Sequence, residues 1–144
     1  MADSKVILKA EWEGGVKGKG TIKSDFINIP IAIGKENGGI GIGARPKHIL
    51  ASSVQACYVA TLASMMEIRG LPVESFTVDT EVRVSDDQFL IVHHPHIFLL
   101  TEASQAQVQS VQRLFKAAER GCTVGNMVKK AGIKIEVEGE VSII

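Results

Sequence analysis

The sequence carries no net charge and has no long apolar run near its first residue. Its sixteen basic and sixteen acidic residues cancel, so the composition gives no reason to expect a nucleic acid or a membrane surface as partner. The first twenty residues, MADSKVILKAEWEGGVKGKG, contain no apolar stretch of signal-peptide length. We therefore expect a cytoplasmic protein.

Cysteine is scarce, with only Cys57 and Cys122 in 144 residues. In a reducing compartment, such a pair serves redox chemistry, binds a metal or stays inert more often than it forms a structural disulfide. A disulfide requires Cα atoms within about 4.4–6.8 Å. The spacing of the two cysteines along the chain neither requires nor forbids that approach.

The glycine-rich segment 35–43, KENGGIGIG, lacks the marks of a nucleotide-binding loop. It has no Lys-Ser/Thr pair of the P-loop kind, and the strand–GxGxxG–helix context of a dinucleotide-binding fold is absent. We predict an ordinary loop here.

The longest predicted element is a helix from Pro46 to about Gly70. Proline suits the first turn of a helix, and Gly70 followed by Pro72 provides a stop. Apolar residues lie all round its circumference, which predicts a core helix buried on most sides. The apolar run, interrupted by Ser and Gln, is judged too short to span a membrane.

Cys57 lies near the middle of this helix within a stripe of small side chains. Side chains of that size would let a backbone or a substrate approach the sulfur, whereas the alternative is a buried cysteine that acts as a small hydrophobe. The stripe consists of Ser53, Ala60, Thr61 and Ser64.

The rest of the chain predicts an α+β fold in one domain, residues 1–144. Alternation and turn residues predict strands at 5–13, 19–23, 25–31, 73–84, 89–100 and 133–143. Apolar periodicity, with Ser104 as N-cap, predicts helices at 104–120 and 123–131.

Three histidines in the strand 89–100 raise the question of a metal site. His94 and His96 share one face of a strand and His93 the other, and no acidic residue or cysteine close in sequence completes a ligand set. Pro95 indicates an edge strand or a bulge. We expect exposed histidines on an edge strand, and no metal.

The residues around Cys122 predict a more acidic thiol than those around Cys57. Cys122 stands where a helix begins, and free N–H groups there favour a thiolate. Cys57, in mid-helix, has no such help from its own neighbours.

Several segments in order resemble the OsmC/Ohr family of osmotically inducible and organic hydroperoxide resistance proteins. They are WEG followed by KGKGT, a glycine-rich loop, a Pro-led helix with ASSVQAC, and AERGCTVGNMVKKAG. The resemblance extends from about Glu11 to the final strand. It implies the OsmC-like fold, with antiparallel sheets around a long central helix in an intertwined homodimer.

The resemblance also implies a reaction that needs no cofactor. Cys57 would attack an organic hydroperoxide and become a sulfenic acid. Cys122 would condense with it to form a disulfide, and an external dithiol would reduce that disulfide. The roles that the resemblance implies therefore make Cys57 the nucleophile, although the argument above predicts Cys122 as the more acidic thiol.

Two positions depart from the pattern that the resemblance implies. An arginine is expected just after the WEG-like turn, and a glutamate at the start of the Pro-led helix. Val16-Lys17 and Lys47 stand there instead, and a lysine does not reproduce the bidentate donation of a guanidinium. The candidates to stabilise the thiolate are Lys17, Lys19 and Arg45.

Two alternatives to a thiol-dependent peroxidase stay open. The same cysteine pair would suit a redox protein that handles disulfides. The family's fold would also suit a non-catalytic dimer that binds a small apolar ligand.

Overall fold

The computed structural model describes residues 4–144, and its chain divides into two compact units, Met1–Ile49 and Leu50–Ile144. The prediction of one domain stays a prediction. The α+β class and the OsmC-like architecture are confirmed by two sheets, three α-helices and the structural likenesses given below.

The first unit contains a three-stranded antiparallel sheet. Its strands are β1 (Lys9–Glu13), β2 (Lys19–Lys23) and β3 (Asn28–Ile31), in that spatial order. The β1–β2 turn depends on glycine, because Gly14 has φ 91° and a Cβ on Gly18 would lie 2.1 Å from the Glu13 carbonyl oxygen. The glycine-rich segment that follows is a loop, as predicted, apart from one 3₁₀ turn at Lys35–Asn37.

Helix α1 (Pro46–Ile68) begins at the end of the first unit and continues into the second. It is buried along one stripe, where its side chains pack on β5 and α2, and much of its remaining surface is exposed in a single chain. The expectation of burial on most sides is therefore wrong for one chain taken alone. The stripe comprises Ala51, Val54, Tyr58, Leu62 and Met66.

By length and composition alone, α1 is long and apolar enough to cross a membrane. On those two criteria, the expectation that the apolar run of this helix is too short to span a membrane is wrong. Core helices of soluble proteins meet the same criteria, so this observation is weak support for a membrane span.

The second unit contains a mixed sheet centred on β5. Strands β4 (Val73–Ser85) and β5 (Gln88–Leu99) form the predicted antiparallel hairpin. The predicted final strand is instead two short strands, β6 (Lys134–Val137) and β7 (Glu140–Ile143), and both pair with β5 in parallel. The expectation of antiparallel sheets therefore holds for the first sheet and is wrong for this one.

Strand β5 is therefore interior, and the prediction of an edge strand is wrong. The proline that suggested an edge lies in a gap between the two parallel partners. β6 pairs with residues 90–93 and β7 with residues 96–99, so Pro95 faces neither partner in the parallel registers. A proline has no N–H to donate, so it is tolerated at a position of β5 that neither parallel partner pairs with.

Helices α2 (Gln105–Arg120) and α3 (Thr123–Lys129) complete the second unit. Ser104 caps α2 as predicted, in a reciprocal box with Gln107. Helix α3 ends two residues before the predicted position. Residues Val111, Leu114 and Phe115 of α2 share a buried cluster with α1 and β5.

Candidate active site at the two cysteines

The fold brings Cys57 and Cys122 together. The backbone N–H of Val124 donates to Cys57 Sγ at 3.5 Å, and that of Gly125 donates to Cys122 Sγ at 3.4 Å. Cys122 Sγ also lies 3.8 Å from the carbonyl oxygen of Val54, one turn before Cys57 on α1. Both cysteines are free thiols.

The turn at residues 121–125 is tightly packed, and its first residue, Gly121, lies against α1. A Cβ on Gly121 would lie 3.2 Å from Met65 Cε and 3.6 Å from Thr61 Cγ2. A Cβ on Gly125 would lie 3.2 Å from Cys122 Sγ, which is tighter than ordinary van der Waals contact. The stripe of small residues beside Cys57 thus admits a backbone.

Hydrogen bonds make Cys57 the more acidic thiol. Burial alone would raise its pKa, but four donors outweigh burial and lower the pKa below the ordinary value of 9.0. In order of effect, these donors are the Val124 N–H, the Cys122 thiol, the Thr123 N–H and the Thr61 hydroxyl.

Cys122 is shifted in the opposite direction. Burial and the hydrogen bond with Cys57 raise its pKa to about 11, and the charge of Glu119 adds to the effect. The prediction that Cys122 would be the more acidic thiol is therefore wrong. It failed because Cys122 is only 2% exposed and because N–H groups at the start of α3 donate to Cys57 as well.

A buried polar group lies behind the site on β5. His93 is 1% exposed, and its Nδ1 is 2.9 Å from Thr80 Oγ1. Its ring stacks on Tyr58 with centroids 4.5 Å apart, and the Tyr58 hydroxyl donates to the Phe115 carbonyl oxygen at 2.9 Å. Burial lowers the pKa of His93 to about 4. The expectation of an exposed histidine is wrong here.

The other two histidines are half-buried and contact carboxylates. His94 lies 3.1 Å from Glu81 and 3.6 Å from Glu138, and His96 lies 3.8 Å from Glu140. Within residues 4–144, no group of three or more His, Cys, Asp or Glu side chains is arranged to hold a metal ion.

The basic candidates Lys17, Lys19 and Arg45 all lie in the first unit, whereas both cysteines lie in the second. Lys17 and Lys19 are exposed in and after the β1–β2 turn. The Arg45 guanidinium is 3.6 Å from the Glu36 carboxylate. Their role toward Cys57 stays a prediction.

Sequence reasoning missed the donors that surround Cys57. Thr61 is one helical turn from Cys57, a spacing visible in the sequence. Its hydroxyl hydrogen donates to the Cys57 carbonyl oxygen at 2.8 Å, and its effect on the sulfur is the smallest of the four. The Val124 N–H gave no sequence signal, because a backbone donor from a segment 67 residues away depends on tertiary structure.

Comparisons with known proteins identify the family of this chain and its fold. The model of the OsmC-like protein family matches residues 36–138. The chain is 34% identical over 148 residues to "Uncharacterized protein YmaD" of Bacillus subtilis (strain 168), covering 99% of this chain and 98% of that protein.

Solved structures share the fold at low sequence identity. An OsmC-like protein from Mycoplasma pneumoniae has a TM-score of 0.70 at 18% identity, with 99% of each chain covered. A protein from Legionella pneumophila, described as an organic hydroperoxide resistance protein OsmC, predicted redox protein and regulator of sulfide bond formation, has a TM-score of 0.65 at 19% identity, again with 99% of each chain covered.

Proposed function

Because this chain belongs to the OsmC-like protein family, we propose that it is a thiol-dependent peroxidase that reduces organic hydroperoxides. The observation that carries the proposal is the cluster of donors on Cys57 Sγ, which lowers the pKa of that thiol beside a second, protonated cysteine. The thiolate is the form of cysteine that attacks peroxides. Both thiols come from the chain itself, so the reaction requires no cofactor.

The first step uses Cys57. Its thiolate attacks the outer oxygen of the hydroperoxide ROOH, an S–O bond forms, and the O–O bond breaks. Cys57 becomes a sulfenic acid, and the leaving alkoxide takes a proton to give the alcohol ROH. The N–H of Val124 and the hydroxyl of Thr61 favour the ionised sulfur before this attack.

The second step uses Cys122. Its sulfur attacks the Cys57 sulfenic acid, an S–S bond forms, and the sulfenic oxygen leaves as water after taking up the Cys122 proton. An external dithiol then reduces the disulfide and is itself oxidised to a disulfide. The raised pKa of Cys122 keeps it protonated, and so a donor to Cys57, until the sulfenic acid forms.

The relatives support a redox or peroxidase-related role for this family. The Legionella pneumophila protein and one from Elizabethkingia anophelis are both described as organic hydroperoxide resistance proteins. The proposal adds the substrate class, the order of the two thiols and a cytoplasmic location for this chain.

Consumption of cumene hydroperoxide with and without dithiothreitol tests the proposal. With dithiothreitol, the unaltered protein should turn over and Cys57→Ser should consume no hydroperoxide. Without dithiothreitol, Cys122→Ser should consume about one equivalent and then stop. If Cys122→Ser blocks the first oxidation and Cys57→Ser does not, the roles are reversed. A Cys57–Cys122 disulfide that forms with disulfide reagents but not with hydroperoxide would favour the disulfide-handling alternative.

Three substitutions test which cation supports Cys57. A positive charge within about 4–6 Å shifts a neighbouring pKa by roughly one to three units, so Lys17→Met or Lys19→Met should raise the pKa of Cys57. The measurement is the pH profile of Cys57 alkylation in a Cys122→Ser background. If only Arg45→Met raises it, the loop arginine takes that role. If none of the three does, the backbone donors act without a cation.

A further inference from the structure

Beside the cysteine pair, Glu119 and Lys129 form an ion pair that the proposed reaction does not use. The Lys129 ammonium donates to Glu119 Oε1, with 34% and 16% of the two side chains exposed. An exposed ion pair contributes little to stability. This one is half-buried, and it joins the last turn of α2 to the last residue of α3.

A second contact joins the same two helices. Asn126 Nδ2, on α3, donates to the carbonyl oxygen of Arg120, the last residue of α2, at 2.9 Å. Only Gly121 and Cys122 separate the two helices. The ion pair and the amide contact therefore fix the angle at which α3 leaves this two-residue connection.

That angle sets where the first N–H groups of α3 lie. The Val124 N–H reaches Cys57 Sγ at 3.5 Å, and the Gly125 N–H reaches Cys122 Sγ at 3.4 Å. A hydrogen bond weakens steeply once its donor–hydrogen–acceptor angle falls below about 120°. A rotation of α3 that turned these N–H groups away from the sulfurs would thus weaken the donation to both thiols.

We propose that the Glu119–Lys129 ion pair is a positioning device, which holds α3 so that its backbone N–H groups donate to the sulfurs of Cys57 and Cys122. This inference rests on the function proposed above in one respect only, because that function is what gives the position of these N–H groups a role in catalysis. Neither side chain needs to touch the substrate.

The sign of one substitution separates this role from a through-space effect of charge. If the Glu119 carboxylate acted only through space, Glu119→Gln would lower the pKa of Cys57, because an anion near a thiol disfavours the thiolate. If the ion pair positions α3, Glu119→Gln raises the pKa of Cys57, because the Val124 donor is misplaced.

The test is the pH midpoint of Cys57 alkylation by iodoacetamide in a Cys122→Ser background. Glu119→Gln and Lys129→Gln should each raise the midpoint by about half to one pH unit, the equivalent of one net hydrogen bond. The charge-swapped variant Glu119→Lys with Lys129→Glu should recover most of the shift. Lys130→Gln, at the exposed neighbouring lysine, should leave the midpoint unchanged.

A midpoint that falls or stays constant in Glu119→Gln overturns the proposal, and so does a charge swap without recovery. If Glu119→Gln does not fold, Glu119→Asp takes its place, because the shorter carboxylate should give a smaller rise of the same sign. Hydroperoxide turnover is measured separately. Absence of turnover with the expected midpoints contradicts the peroxidase proposal and leaves the positioning role intact.

Discussion

At Cys57 the sulfur accepts several hydrogen bonds. At Cys122 the thiol is buried and donates a hydrogen bond, although its sulfur also accepts one from the Gly125 N–H. This difference decides which of two chemically identical side chains is ionised first. The backbone N–H of Val124 has the largest lowering effect at Cys57, so the acidity of a residue on α1 is set by a turn that lies 67 residues later. The order of acidity agrees with the proposed order of the two steps.

Single-cysteine variants should show this order in their alkylation. Cys57, in a Cys122→Ser background, should react at lower pH than Cys122 in a Cys57→Ser background, where the pKa is raised. Cys122→Ala should raise the pKa of Cys57 relative to Cys122→Ser, because serine keeps a hydroxyl donor and alanine does not. Mass spectrometry of labelled peptides across pH 6–11 measures both. Equal profiles for Ala and Ser would contradict the thiol as donor.

His93 should make stability depend on pH. Burial is the main cause that lowers its folded-state pKa to about 4, the neighbouring His94 adds to this effect, and Glu119 opposes it. The unfolded chain, with an ordinary value of 6.5, therefore binds the proton more readily. The contribution of neutral His93 to the free energy of unfolding is therefore fully present above pH 6.5 and is lost as the pH falls toward 4. The maximum loss is on the order of 3 kcal/mol.

Urea unfolding at pH 7, 6, 5 and 4 measures this loss. His93→Phe should flatten the profile between pH 6.5 and 4, because phenylalanine keeps the stacking on Tyr58 and removes the titrating group. His96→Gln, at a half-buried histidine of the same strand, is the matched control and should keep the slope. A slope that survives in His93→Phe would assign the pH dependence to other groups.

At the scale of the element, the residues of α2 itself determine where this helix begins. Ser104 Oγ accepts from the Gln107 N–H at 3.2 Å, and Gln107 Oε1 accepts from the Ser104 N–H at 2.8 Å. Ser104→Ala removes the first of these bonds and should cost about 1 kcal/mol of unfolding free energy. Ser110→Ala, inside the helix, should cost nothing, since alanine has the higher helix propensity. Thermal unfolding of the two variants compares them, and equal losses would contradict a capping role.

At the scale of the whole molecule, a single chain leaves much apolar surface exposed. Phe26 is 98% exposed, and Ala32 is the one buried hydrophobic side chain among residues 4–49. Such a small sheet has little core of its own, and apolar surface of this kind is typical of an interface. The other strongly exposed apolar side chains of the first unit are Val6, Ile7, Leu8, Val16 and Ile42.

We therefore expect a homodimer in solution. Sedimentation equilibrium at micromolar concentration should give twice the 15.5 kDa mass of one chain, and dilution should not produce monomers before unfolding begins. A stable folded monomer at that concentration would contradict the expectation, and would require the exposed apolar residues to have another use.

The sequence alone determined most of the elements, because their signals are local. Proline and glycine set the limits of α1, a serine with a glutamine three residues later defined the start of α2, and an Asp-Asp turn joined β4 to β5. The order of motifs around Cys57 and Cys122 was sufficient to indicate the family.

The tertiary structure alone decided the pairing of β5 and the chemistry of the thiols. Pro95 looked like a mark of an edge because the sequence does not show that the two parallel partners of β5 leave a gap there. Cys122 looked acidic because the sequence shows a helix start but neither its burial nor the direction of the Val124 N–H. Strand partners and pKa values depend on groups far apart along the chain, and only folding brings those groups within a few ångströms.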